Sequence, residues 1–297
     1  MATSADVVPV KRRRWRFLSA LPTRDPFAIA GLVIYIAFAL VAIFADQLAT
    51  HDPLEILFAE DFKLARSLPP SAEHYLGTTF GGRDIYSQLI YGTRGALLIG
   101  LTAAAAVVAV GTLVGLLAGY LGGWVDNVLM RVADIALGIP FLPFVVVLAA
   151  FLTPSMWNVV FAIALLLWPN SGRVIRSQVL TLRERAFVEA AVVTGASQAK
   201  ILFVHIAPNV LPLSFLYGSI AVGWAILTEA SISFLGFGPS DTVTWGYMLQ
   251  DAYASQALSR GHYAWFVPPG VCIVLVVLAG FFITRGYEEI LFPKLRR

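Results

Sequence analysis

The stretch FAIAGLVIYIAFALVAIFADQLA, Phe27 to Ala49, carries a single charged residue, Asp46. A hydrocarbon core about 30 Å thick needs roughly 20 apolar residues of helix, so this run is long enough to cross a bilayer. Five further apolar stretches follow, at about Gly95–Tyr120, Val128–Leu152, Asn158–Gly172, Leu213–Phe237 and Tyr263–Thr284. In lipid every backbone N–H and C=O must find a partner within the protein, which restricts such a chain to helices or a closed barrel. Runs of this length select helices. With 58% hydrophobic and 13% charged residues the chain lies far from the soluble average of about 25% charged. The expected fold class is an all-α membrane protein with six transmembrane helices. The expected segments are a tail over 1–26, a first span over 27–49, a loop over 50–94, a five-helix transmembrane domain over 95–286 and a tail over 287–297. The fourth run is short for a span and is expected to continue into the polar segment after it.

Charge sets the orientation. With the N-terminus inside, the cytoplasmic segments hold 16 Lys and Arg residues and the external ones hold five, Lys63, Arg66, Arg83, Arg94 and Arg260. Such an excess predicts both termini in the cytoplasm. It also explains the net charge of +3 without invoking nucleic acid. A cleaved signal peptide fits poorly, because its apolar region is about 7 to 15 residues long. The one cysteine, Cys272, lies in an apolar run and has no intrachain partner. The histidines His51, His74, His205 and His262 are spread over different loops, and neither HExxH nor a Cys/His cluster occurs, so no metal site is expected. The Gly81-Gly82-Arg83-Asp84 turn lacks the lysine of a phosphate loop, and no lysine follows a glycine anywhere, which excludes a Walker A motif.

Several features mark the membrane interior. Gly111, Gly115 and Gly119 stand at four-residue steps and line one helix face, a pattern suited to close helix packing. Arg131 and Asp134, three apart, are placed to pair. Pro140 and Pro143 interrupt the third span, and Glu229 is an acid at membrane depth; both are candidates for a pathway lining or for structural roles. The loop 238–262 has the aromatic content of an interfacial belt, and Asp84–Tyr91 reads as a short interfacial helix.

The polar segment 173–208 holds five of the 21 basic residues. Ala186, Ala190, Ala191, Gly195, Ala196 and Ala199 recur at spacings that give a helix over about 185–199 a stripe of little side-chain bulk beside Glu189. A second protein can approach such a stripe closely; an ordinary connector between spans is the plainer reading.

These residues carry a resemblance. EAAVVTGASQAKILFVHIAPNVLP, with Glu189, Ala190, Ala191, Gly195, Ala196, Pro208, Asn209 and Pro212, resembles the EAA loop of permease subunits of binding-protein-dependent ABC importers. HYLGTTFGGRDIYSQLIYGTR, AGYLGGWVDNVLMRVADIALGIP, TEASISFLGFG and WGYML extend the similarity to the C-type subunit of the dipeptide/oligopeptide permease group, over about residues 17–293. Ala207 departs from a usual leucine, Thr79 and Phe80 from an acidic pair, and Thr284 with Arg285 from Gly-Asp. The resemblance implies the type I ABC importer permease fold in a bacterial or archaeal cell membrane. It implies a second permease subunit, two ABC ATPase subunits or one two-domain ATPase, and an extracytoplasmic peptide-binding protein. It makes the Glu189 helix the ATPase-docking coupling helix. ATP and magnesium then belong to the partner ATPases, with no cofactor and no catalytic residue on this chain, and the substrate is a peptide. An ion-gradient-driven transporter is the alternative, and it calls for inverted repeats that the sequence lacks.

Overall fold

In the computed structural model, residues 25–58, 64–151, 155–239 and 242–291 are described. Most of the expected tail over 1–26 and residues 292–297 of the C-terminal tail lie outside them. Among the described residues the regular structure is helical, with two isolated β-bridges, Phe58 to Leu64 and Thr78 to Asp84.

The first helix, α1 (Pro26–Ile43), starts where the Asp25 carboxylate accepts the Phe27 N–H at 3.0 Å and Pro26 occupies the first turn, where its missing N–H costs nothing. After the single turn of α2 (Ala45–Leu48) and a loop, α3 runs unbroken over Ile85–Leu121. The short helix expected at Asp84–Tyr91 is thus the first turns of the second span. Asp84 caps it by accepting the Ser87 N–H at 2.7 Å, and no proline separates the two parts. Gly92 and Gly95, which weaken an isolated helix, are contact points here: a Cβ at Gly95 would strike the Val243 carbonyl oxygen.

The third span is broken. Helix α4 (Gly123–Gly138) and α5 (Phe141–Phe151) meet at an 88° bend across Ile139 and Pro140, where the proline cannot donate to the helical ladder. Helix α6 (Met156–Arg183) confirms the expected extension of the fourth span into the polar segment. There follow α7 (Ala186–Val193), the turn α8 (Gln198–Lys200), a π-helical stretch Ile201–Ile206, α9 (Ala207–Phe234), α10 (Trp245–Ala254) and α11 (Tyr263–Leu291). Five helical segments are long and apolar enough to cross a membrane, and the bent pair makes up to six.

The bundle is organised on α3. Its glycine stripe lies against α6: a Cβ on Gly111 would overlap Ser171 Oγ, one on Gly115 would lie 2.6 Å from the Gly172 carbonyl oxygen, and one on Gly119 would lie 2.8 Å from Val179 Cβ. The backbones therefore touch directly. Above this seam Ile99, Ala103 and Val107 pack with Val159, Ala162 and Ile163 of α6 and Ala225 and Ile232 of α9. On the other side of α3, α9, α10 and α11 enclose Trp245, Met248 and Trp265. Exposed Val33, Ile36 and Leu40 of α1 and Val271 and Val274 of α11 form an apolar outer surface suited to lipid tails.

Ion pairs clamp both ends of the bundle. At the α3 start, Arg94 Nε donates to the Ala42 carbonyl at 2.9 Å, satisfying the open end of α1, while its terminal nitrogens hold Asp46 at 3.1 Å each. Arg94 foremost, and then Tyr91, holds the Asp46 carboxyl below its ordinary pKa. At the other end Arg176 grips Asp126 in a two-pronged pair at 2.5 and 2.6 Å, and Arg173 meets Asp134 at 2.6 Å. The expected Arg131–Asp134 pair is therefore corrected. Helix α4 lies across α6 and turns its acids toward that helix, so a cation on α6 takes Asp134 while Arg131 stays exposed.

Two outcomes follow from these contacts. Gly115→Leu forces α3 and α6 apart, costs on the order of 3 kcal/mol, and lowers the thermal midpoint in detergent; Gly138→Ala, whose Cβ meets nothing within 4 Å, leaves it unchanged. Asp126→Ala and Arg176→Ala each lower that midpoint, and the exchange Asp126→Arg with Arg176→Asp recovers part of the loss, a coupling of about 1 kcal/mol in a double-mutant cycle.

Candidate coupling surface

Helix α7 is shorter than its spacing suggests. Thr194 follows it, Gly195 takes φ +77°, the Gly195 N–H bonds the Val192 carbonyl at 2.9 Å and the Ala196 N–H bonds the Ala191 carbonyl at 3.0 Å. This pair of reverse bonds around a left-handed glycine is a Schellman stop. The helix expected over about 185–199 thus closes at Val193, and Gly195, Ala196 and Ala199 fall beyond it. A four-residue spacing continues through a glycine on paper; the left-handed glycine breaks it in space.

The faces of α7 differ from the expected bulk-free stripe as well. Val188 and Ala191 point inward onto Leu116 of α3, Ile175 and Val179 of α6, and Ile201, Leu202, Ile206 and Val210. Glu189 and Ala190 are exposed, and so are Phe187, Val192 and Val193, the last at 87%. The outward face is therefore an acidic residue and a small residue beside an apolar ridge. An open cleft of about 480 Å³ separates α7 from the end of α3, lined by Tyr120, Leu121, Arg183, Val188, Glu189, Val192, Val193 and Gln198.

This projecting helix is firmly mounted. Two residues, Glu184 and Arg185, join it to α6, and Arg183 Nη1 donates to the Tyr120 carbonyl at 3.2 Å, tying that joint to the end of α3. On the far side the π-helical stretch leads into α9, where Pro208 and Pro212 withhold two ladder donors. Asn209 Nδ2 compensates locally by donating to the His205 carbonyl at 2.6 Å. Pro208, Asn209 and Pro212 thus shape the return from α7 into the bundle.

The interior candidates are placed differently. Pro140 sits at the bend of the third span. Glu229 is wholly buried on α9, where its Oε1 accepts the Ser233 hydroxyl at 2.6 Å. It lies beside the packed cluster of Ile226, Ala230, Trp245 and Met248. Sequence reasoning missed the Arg176–Asp126 and Arg94–Asp46 clamps, because the charges lie 50 and 48 residues apart with no shared pattern. It also placed His51 and His74 apart, whereas the folded loop brings their rings to 4.9 Å.

Comparisons with known proteins give the chain its family. Residues 111–297 match the family "Binding-protein-dependent transport system inner membrane component", and residues 23–70 match "N-terminal TM domain of oligopeptide transport permease C". The chain is 37% identical over 284 residues to the dipeptide transport system permease protein DppC of Alkalihalophilus pseudofirmus, covering 95% of this chain and 90% of that protein. It is 37% identical over 271 residues to the probable D,D-dipeptide transport system permease protein DdpC of Escherichia coli, covering 91% and 88%. It is 33% identical over 277 residues to the oligopeptide transport system permease protein OppC of Bacillus subtilis, covering 92% and 87%. A helical bundle with five to six candidate spans, a projecting helix at one end and matches over nearly its whole length, this chain is a multi-pass membrane protein that belongs to the binding-protein-dependent transport system inner membrane component family.

Proposed function

We propose that this chain is the transmembrane permease subunit of an ATP-driven, binding-protein-dependent importer that carries peptides across the cell membrane by alternating access. The observation that carries this reading is α7: an eight-residue helix at the end of the bundle that buries Val188 and Ala191 and exposes Phe187, Glu189, Ala190, Val192 and Val193. Exposed Val192 and Val193 beside Glu189 suit a groove on a second protein. The charge bias of the sequence puts this end in the cytoplasm with both termini. Two ATPase subunits, or one with two domains, would bind there, hold the ATP and magnesium, and push α7 as a rigid lever when ATP closes the ATPase dimer.

The remaining parts fit the same scheme. A second permease subunit would complete the pathway, and an extracytoplasmic binding protein would deliver the peptide to the opposite face. Peptide as the substrate rests on the relatives, whose names specify dipeptide, D,D-dipeptide and oligopeptide transport. The bend at Pro140 gives the third span a natural point of flexure beside the pathway. The ion-gradient-driven alternative loses its ground, because the matched family is binding-protein-dependent.

The structure redirects the best test of docking. Gly195 holds a left-handed turn, so Gly195→Trp strains the backbone as well as any interface. Ala190→Trp and Val193→Asp change exposed positions on α7 and spare its inner face. Both variants are expected to insert and purify normally, to lose copurifying ATPase, and to cut peptide uptake at least about tenfold, the effect of roughly 1.4 kcal/mol at one interface. Undiminished uptake and ATPase recovery in both variants would exclude α7 as the docking element.

A further inference from the structure

The loop between α2 and α3 brings three side chains together at the end of the bundle opposite α7. A donor atom from each of His51, Glu73 and His74 lies within 4.8 Å of the other two. The hydrogen bonds around them fix which ring atoms are free. His74 Nδ1 lies 3.0 Å from Oδ1 of Asp84, a wholly buried carboxylate. An ionised carboxylate only accepts, so His74 Nδ1 carries the proton and the lone pair is on Nε2. His51 Nδ1 lies 3.0 Å from Thr50 Oγ1, and the Thr50 hydroxyl donates toward Asp84 Oδ2 at 3.5 Å. A Thr50 hydroxyl that gives its proton to Asp84, or to Ser87 Oγ at 3.3 Å, accepts from the imidazole, which again leaves Nε2 of His51 free. Asp84 therefore sets the tautomer of His74 directly and acts on His51 through Thr50.

The frame that carries these groups is ordered by the same carboxylate. Asp84 caps α3, the His51 N–H is bound by Ser87 Oγ at 3.0 Å, and Gln88 Nε2 holds the Pro53 carbonyl at 3.1 Å. His74 is buried, His51 half-buried and Glu73 exposed, so the cluster opens to solvent on the Glu73 side.

We propose that His51, Glu73 and His74 form a binding site for a zinc-like divalent cation, with Asp84 as the carboxylate that orients both imidazoles. Two neutral imidazoles and one carboxylate are a donor set for zinc and its late first-row neighbours, whereas calcium and magnesium call for oxygen ligands throughout. Bonds of about 2.0 to 2.2 Å in a tetrahedron put donors roughly 3.4 Å apart, so an inward movement of about 1 Å closes the site. Water takes the fourth position on the exposed side. An imidazole whose second nitrogen donates to a carboxylate is the arrangement that raises ligand basicity and fixes ring orientation at metal centres. The ion would staple residues 50–58 to residues 71–77 and to the α3 cap. Neither the docking of α7 nor the nature of the cargo enters this inference.

The test uses the full-length protein in detergent, purified through an affinity tag without histidines, together with any subunits that accompany it. After treatment with a chelator the protein is dialysed against zinc chloride, and bound metal is counted by mass spectrometry alongside the thermal midpoint. About one zinc per chain is expected in the parent, with a midpoint raised by zinc. The His51→Ala and Glu73→Gln variants, both altered at accessible positions, are expected to bind at least about tenfold more weakly and to lose the zinc-dependent rise. His51→Ala keeps the His74–Asp84 contact and the α3 cap, so a fold lost in general would appear as a lower midpoint without zinc. Zinc retained equally by the parent and both variants, or no zinc retained by the parent, overturns the proposal.

Discussion

The contact on which the bundle depends is the bare backbone approach of α3 to α6. Lipid tails are as apolar as leucine side chains, so burial alone draws two transmembrane helices together only weakly, and association relies on close packing. Gly111, Gly115 and Gly119 supply it by leaving the α3 side of the seam without Cβ atoms, which brings Gly172 and the Val179 side chain into direct contact with the α3 main chain. The two helices then behave as one rigid unit. Everything of functional interest hangs from that unit: α4 by Arg173 and Arg176, α7 by two linking residues and by Arg183, and α9 by its shared core with both helices.

Rigidity and compliance are thereby separated along the chain. The close-packed part is α3 with α6; ladder donors are missing at the Pro140 bend and at Pro208 and Pro212 in the first turns of α9. In the proposed importer a push on α7 passes inward through Val188 and Ala191, which rest on α3, α6 and the start of α9 together. A helix that touches three elements through a close-packed patch cannot move without moving them. The exposed face of α7 adds grip and the buried face adds transmission, so an all-alanine stripe would serve the second role poorly.

How much of this the sequence reveals depends on the range of the interaction. Span number and helical class are legible because lipid imposes a length and a composition on each segment separately, as with Phe27 to Ala49. The glycine stripe is legible as a packing face, since a four-residue period is local, but its partner helix is not. The end of α7 was misread because spacing treats Gly195 as one more small residue, while its φ of +77° makes it a stop. The Arg131–Asp134 pairing failed for a related reason: proximity along one helix says nothing about a second helix that crosses it and offers Arg173. Long-range pairs such as Arg176–Asp126 leave no periodic trace at all.

The 37 residues of α3 finally decide how the two ends of the molecule relate. At 1.5 Å per residue this helix is about 55 Å long, well beyond the 30 Å hydrocarbon core, so it stands clear of the membrane on at least one side. Its start is fixed by Asp84, which also holds the His51–His74 pair, and its end lines the cleft beneath α7. One uninterrupted helix therefore joins the loop that gathers these histidines to the cleft beside α7. A bent or broken α3 would let the two ends move independently. The cap at Asp84, the glycine seam and the contact at Tyr120 hold it in one register against α6 along its length.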